Sequence, residues 1–316
     1  MDDQQLDTAS AVIRFRQGES LCEALARVVT EQFDEALGIA GVADGDAAES
    51  VHVTRKAIKR LRAMLRLVRD SVPTDVYRTD NDVLGLVASE LGWIRDVWVM
   101  AGTLDGLGLS DEEAAPAVAT LRGRLQARYE IERDAILGNA AHVASIVVQL
   151  EHVKKRSKVW MLEGGDPDKP LPHTFESIAP GLERVYRSGR KALRNAATSP
   201  TDTLLHAWRK RAKYLRHQVE ALNILGPGEL GEQEVQLATL TDQLGQDHDL
   251  AVLTHRLVRD TALVAGIDPN PVHGAIATER HRLQTAAFTG GASLYQTTPD
   301  VYIGKLAERW IEGPTF

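Results

Sequence analysis

The chain of 316 residues contains a single cysteine, Cys22, which excludes an intrachain disulfide framework and a cysteine-based zinc cluster. Aromatic residues make up only 5%, so a core has to be packed mainly from Leu, Val and Ala. No stretch approaches the roughly 18 uncharged apolar residues that a membrane-spanning helix needs. Met1 to Ser10 is polar and acidic, without the basic-then-apolar order of a signal peptide. A soluble cytoplasmic protein with no membrane partner is the default expectation. Positive charge is in deficit as well: the formal net charge is -7 and the pI is near 5.8. Nonspecific nucleic-acid binders carry a domain-wide basic excess, so any anion site here has to be local. A long duplex wrapped on the surface is disfavoured, because flanking acidic charge would repel it.

Sustained alternation of strand type is also missing, and apolar residues recur every three and four positions, which predicts an all-α fold. Helical patterns cover roughly 18–38, 50–71, 79–104, 111–137 and 139–162, then 174–197, 201–225, 231–263, 271–289 and 300–311. Asp111-Glu-Glu suits a helix N-terminus, where acidic groups complement the dipole. Ser199-Pro-Thr-Asp reads as another start, since Ser or Asp caps free amides and Pro is tolerated in a first turn. The longest non-helical segment, 164–172, is rich in Gly and Pro and is expected to join two halves. The predicted layout is an N-terminal tail over 1–15 and one domain over 16–316, with halves at about 16–163 and 173–316.

Against this background two basic segments stand out, Val51-His-Val-Thr-Arg-Lys-Ala-Ile-Lys-Arg-Leu-Arg62 and Leu205-His-Ala-Trp-Arg-Lys-Arg-Ala-Lys-Tyr-Leu-Arg216. One constant spacing, 154 residues (52 to 206), matches His52 with His206, Arg55 with Arg209, Lys56 with Lys210, Lys59 with Lys213 and Arg62 with Arg216. A second match follows at 153 residues: Leu91-Gly-Trp-Ile-Arg-Asp96 with Leu244-Gly-Gln-Asp-His-Asp249. Two features in the same order at nearly the same separation point to an internal duplication.

Helical projection places His52, Arg55, Lys56, Lys59, Arg62 and Arg66 within an arc of about 120°. Ile58, Leu61, Met64, Leu65 and Val68 take the other side. In the second segment His206, Arg209, Lys210, Lys213, Arg216 and His217 share a face opposite Trp208, Leu215 and Val219. From Val51 to Arg69 there are seven Lys or Arg and no acidic residue. Cations crowded at helical spacing repel by a few tenths of a kcal/mol per pair, on the order of 0.2–0.5. A bound anion relieves that repulsion. A charged stripe on a helix is ordinarily solvated surface; duplication, the paired histidines and the missing acidic partners favour ligand contact here. Arg offers a planar fork for phosphate oxygens and Lys a mobile point charge, a mixture that suits a flexible phosphate chain. An adjacent anion would also raise the pKa of a histidine and favour its charged form.

Arg187, Arg190, Lys191 and Arg194 extend the basic character to the preceding helix, while His152, Lys154, Lys155, Arg156 and Lys158 spread around theirs and fit a solvated face equally well. Asp96 and Asp249 are expected to orient an Arg or His from the basic helices, or to bridge helices structurally. Trp93, Trp98, Trp160 and Trp208 lie in apolar contexts and read as core. Phosphoryl chemistry ordinarily needs a metal-binding carboxylate set or a nucleophile beside the cations. There is no P-loop, no His-Glu-x-x-His and no clustered acidic motif. No catalytic residue, metal or cofactor is therefore assigned, although Asp247-His-Asp249 keeps a phosphohydrolase or phosphotransferase open. A general polyanion or protein-docking scaffold, with a protein partner or a second copy, also stays open.

The His-x-x-Arg-Lys-x-x-Lys-Arg-Leu-Arg run from His52, its degenerate form from His206 and the two Leu-Gly-x-x-x-Asp elements together resemble the CHAD family, the conserved histidine α-helical domain, over roughly residues 15–310. The resemblance implies two pseudo-symmetric antiparallel four-helix bundles whose basic helices face a shared groove or channel that binds inorganic polyphosphate. It implies contacts from His52, Arg55, Lys56, Lys59, Arg62 and Arg66, and from His206, Arg209, Lys210, Lys213, Arg216 and His217. Many relatives also carry a triphosphate-hydrolase-like CYTH domain, and this chain has no such acidic-strand barrel. The expectation is thus a standalone, non-catalytic binder, cytoplasmic and associated with polyphosphate granules. Tyr214 stands where the first half has Arg60, so the halves are not expected to bind equally.

Overall fold

A computed structural model describes residues 13–44, 46–107, 109 and 115–312. Among them there are ten α-helices and no strand beyond one isolated bridge, Leu162 to Pro170. The first five are α1 (Leu21–Leu37), α2 (Ala47–Leu67), α3 (Thr74–Gly106), α4 (Ala115–Leu137) and α5 (Ala140–Arg156). The second five are α6 (Ala179–Thr198), α7 (Asp202–Ala221), α8 (Glu229–Arg259), α9 (Asn270–Leu294) and α10 (Pro299–Glu312). The all-helical expectation holds, and each half carries one helix beyond the four of a simple bundle. None of the helices is long and apolar enough to cross a membrane.

Local chemistry sets the helix starts. Ser20 and Glu23 form a reciprocal capping box on α1, Asp46 accepts from the amides of Ala48 and Glu49 on α2, and Thr201 accepts from Leu204 on α7. Each satisfies amides that the helix itself leaves unpaired. Of the Ser199-Pro-Thr-Asp start, the residue that caps is Thr201, with Asp202 in the first turn. The Asp111-Glu-Glu start lies outside the described residues, as does 1–12 of the expected tail. Ile13 and Phe15, assigned to that tail from sequence, are instead core residues, and the Phe15 amide donates to the carbonyl of Ala221. The helix expected over 139–162 ends at Arg156 because Trp160 turns into the core, where its indole N–H reaches Asp80.

The apolar backs of the basic helices are buried as their periodicity requires: Ile58, Leu61, Met64 and Leu65 of α2, and Trp208, Leu215 and Val219 of α7, are at most 1% exposed. In the first half α1 packs on α2, α2 on α3 and α3 on α4; in the second, α6 packs on α7, α7 on α8 and α8 on α9. The halves meet through α2 against α7, α3 against α8, and α2 against α6. The segment expected to link them is anchored: the Gly164 amide donates to Ser71 and that of Leu171 to Met161. The two basic helices are therefore neighbours at the centre of the molecule, with α3 and α8 beside them.

Candidate anion-binding cluster

Packing α2 against α7 brings matched cations together. The charges acting most strongly on Lys59 are Lys213 from α7, Arg55 from its own helix, Arg209 from α7 and Arg95 from α3. Burial, and then this repulsion, push the Lys59 ammonium well below the usual lysine range. The side chain nevertheless keeps an accessible face, since Lys59, Arg55, Arg209 and Lys213 are all only partly buried. Protein surrounds the cluster on most sides and water reaches it from the rest. The Arg55 guanidinium is likewise disfavoured by burial, with the Asp96 carboxylate working in the opposite sense.

Two carboxylates temper this charge. Asp96 on α3 and Asp249 on α8 each feel Arg209; Arg55 and Asp249 also act on Asp96. Burial raises Asp96 against the pull of Arg55 and His248. At Asp249 burial is outweighed by the hydrogen bond with His248, whose Nδ1 lies 3.4 Å from Oδ1, and by Arg209 and Arg95. The Leu-Gly-x-x-x-Asp element gains a physical meaning from this. Its Asp faces the arginine of the stripe electrostatically, and its Gly leaves room for that arginine. A β-carbon on Gly92 would stand 2.8 Å from Arg55 Nη1, and one on Gly245 would stand 3.6 Å from Arg209 Nε. Arg55 uses the space to donate to the carbonyl of Ala88.

Histidines occupy one end of the cluster. The rings of His206 and His248 lie 4.5 Å apart, centre to centre, at 34°. Burial first, then the charges of His248, Arg209 and Lys210, push His206 down to about 4. Its Nδ1 is buried and has no hydrogen-bond partner among the described residues. Lys210 is exposed at the rim, and His52 and Lys56 are partly buried on α2.

Toward the C-terminal ends of α2 and α7 the expected stripe is used differently. Arg62 and Arg66 both donate to the side-chain oxygen Oδ1 of Asn81, at 3.3 and 2.7 Å, and the Arg66 guanidinium lies 4.0 Å from the centre of the Tyr214 ring. Arg216 donates to Thr241 and sits 3.6 Å from Asp242. Arg60 is buried between Glu35 and Glu220. At the 154-residue spacing Tyr214 matches Arg60 and Glu220 matches Arg66, and the contacts run crosswise, Arg60 to Glu220 and Arg66 to Tyr214. These residues tie the halves together.

Several sequence expectations change here. His217 points into this inter-half contact: it is 7% exposed, bonds Glu220 at 3.3 Å, and is pushed down to about 4 by burial. A helical wheel cannot show that the face it shares with Lys213 becomes interface by the last turn of the helix. Arg190 donates to the carbonyl of Tyr295; Arg187, Lys191 and Arg194 are exposed on the same helix, Arg187 paired with Glu183. None of these four is among the dominant charges at Lys59, Arg55 or Asp96. Of the cations around 152–158, Lys154 pairs with Asp34 and Arg156 with the fully buried Asp80. Trp160 and Trp208 are core, but Trp93 is 47% exposed, with the Arg256 guanidinium 4.6 Å from its ring.

Sequence reasoning missed Arg95 and His248. Both lie inside the quoted elements, one residue before the aspartates, and they match at the 153-residue spacing. Only the aspartates were assigned, because a cation off the main stripe looks like surface until α3 and α8 are packed beside it. Among the described residues no group of three or more His, Cys, Asp or Glu is arranged to hold a metal ion.

The model of the CHAD domain family matches residues 27–258. Among solved structures, the chain is similar to the crystal structure of the CHAD domain from the plant Ricinus communis, at 18% sequence identity and a TM-score of 0.57, covering 94% of this chain and 95% of that one. Comparison with curated proteins finds no match.

Proposed function

We propose, from the premise that the chain belongs to the CHAD domain family, that it is a non-catalytic module binding inorganic polyphosphate, one chain touching cations of both halves. The observation that carries this reading is the approach of Lys59 to Lys213, with Arg55, Arg209 and Arg95 around them. Two carboxylates, Asp96 and Asp249, act on the three arginines of this group but are not among the strongest charges at Lys59. Like charges held together at partial burial destabilise the free protein. A ligand with negative charge at every repeat converts that repulsion into binding energy. In this reading the stripe expected from sequence contracts to Arg55, Lys59, His206, Arg209, Lys210 and Lys213, with His52 and Lys56 at its edge, and gains Arg95 from α3. Arg62 and Arg216 lie at the far end, and Arg66 and His217 serve the contact between halves.

The chemistry for cutting a phosphate chain has weaker support. Asp96 and Asp249 are engaged by arginines and a histidine, which suits positioning those cations more than holding a metal.

Titration with polyphosphate of defined length at several salt concentrations tests the reading. Affinity should fall steeply with salt as counterions are released. The double charge reversal Lys59→Glu with Lys213→Glu should abolish binding, while Lys305→Glu, on exposed α10 surface, should leave it intact. Unchanged affinity in the double variant overturns the site. RNA displacing polyphosphate at equal phosphate concentration favours a general polyanion surface, and phosphate release with Mg²⁺ favours a hydrolase.

A further inference from the structure

Resting on the polyphosphate reading, we propose that anion capture is coupled to proton uptake in the second half of the cluster, where the His206 and His248 ring pair takes the role that a permanently charged arginine, Arg95, plays in the first half. The geometry is asymmetric in a defined way. At the 153-residue spacing His248 stands in the position of Arg95. Arg95 and Arg55 are charged at any working pH, so contacts made there involve no proton exchange. The second half has two imidazoles 4.5 Å apart instead, and two rings that close are not readily charged together.

The groups facing the pair come from four helices. On α7 these are Arg209 and Lys210, next to His206; on α8, Asp249, bonded to His248; on α3, Asp96, which His248 and Arg209 both act upon; on α2, Arg55, which shares Asp96 and Asp249. Without a ligand, burial and the cations beside it hold His206 neutral near pH 7, and its buried Nδ1 has no partner. A phosphate chain reaching this end reverses the sign of the local potential. It also offers an acceptor to a protonated ring. The charged form gains both a counterion and a hydrogen bond, so binding draws in a proton. Affinity then rises as the pH falls from about 7.5 to 5.5, by up to roughly tenfold per pH unit for each proton taken up. Over that window the second half loosens as the pH rises, while Arg55 and Arg95 keep their charge.

The test is calorimetric titration of the full chain with long-chain inorganic polyphosphate at pH 6.5 and 7.5, in two buffers of different ionisation heat at fixed ionic strength. Chains must be long enough that terminal phosphates, which titrate near pH 6, are negligible. The expected result is uptake of about one proton per occupied site at pH 6.5, following the single-site linkage. Uptake should fall to near zero in His206→Gln. In His248→Arg, where a permanent cation of the first half's kind stands beside His206, affinity at pH 7.5 should increase and its pH dependence flatten. That variant changes a partly exposed side chain, so it keeps the test decisive if His206→Gln folds poorly. Tight binding with no buffer dependence in the natural sequence overturns the coupling alone, as does uptake unaltered in both variants. No binding at either pH overturns the polyphosphate reading and the coupling together.

Discussion

Arg55 and Gly92 are fitted to each other so closely that the side-chain nitrogen Nη1 lies 2.8 Å from where a β-carbon of residue 92 would stand. The equivalent approach of Arg209 to Gly245 is looser, at 3.6 Å. Glycine inside a helix costs about 0.8–1.0 kcal/mol relative to alanine, so both positions give up stability for space. Gly245→Ala should raise stability by about that amount and keep the affinity for polyphosphate, because 3.6 Å is ordinary van der Waals contact. Gly92→Ala should displace the guanidinium and weaken binding severalfold. Thermal melts and titrations of the two variants, side by side, check the asymmetry; equal effects on affinity would discard it.

Lys59 opposes stability in the free protein. Its folded-state pKa is pushed down by burial and by Lys213, so between that value and the ordinary lysine pKa near 10.4 the folded state binds fewer protons than the unfolded one. Stability contributed at this position therefore rises with pH across that window, and the full penalty is present below it. Lys59→Met should stabilise the unliganded protein by about 1–4 kcal/mol, as when well-packed apolar residues replace buried ionic groups. The same change should weaken polyphosphate binding by tenfold or more. A variant that loses stability and affinity together would show Lys59 to be structural.

Arg60 and Glu220 predict the opposite pattern. Arg60 has 5% of its side chain exposed and sits between Glu35 and Glu220, at 3.7 and 3.6 Å. Removing one partner leaves a buried cation undercompensated, which costs about 3 kcal/mol. Glu220→Ala should lower the melting temperature clearly while polyphosphate affinity at permissive temperature stays within about twofold. Urea unfolding and titration of the same preparation separate the two effects.

These contrasts indicate what the sequence could reveal. Helix positions follow from three-and-four periodicity and cap chemistry, which act within a few residues, and Ser20, Asp46 and Thr201 behave accordingly. That Arg55 and Lys59, and Arg209 and Lys213, share a face was legible, because spacing alone puts them opposite a continuous apolar back. Arg95 and His248 were not, since their place depends on how α3 and α8 lie against the basic pair. His217 and Arg66 show the reverse: they share the face of the stripe, but near the helix ends that face meets the other half. Trp93 shows that an apolar neighbourhood in sequence does not ensure burial when the helix surface turns outward.

His217 makes the protein acid-sensitive in a window distinct from that of its carboxylates. Burial holds its pKa at about 4, against which the Glu220 bond works only in part, whereas the unfolded chain has the ordinary histidine value near 6.5. Between those limits the unfolded state binds more protons, so stability falls as the pH drops from about 6.5 to 4, by up to roughly 3 kcal/mol from this residue. His206, also held at about 4, acts with the same sign. Glu220 and Asp249 have depressed values, so the stability they provide is lost only as the pH falls below the usual carboxylate range. Denaturant unfolding between pH 4.5 and 7.5 should therefore show a declining curve for the natural sequence and a shallower one for His217→Gln. Saturating polyphosphate should flatten only the share due to His206, because His217 faces Glu220 and Arg60 inside the contact between halves. Parallel curves for the natural and His217→Gln proteins would remove the buried pair as the origin of the slope.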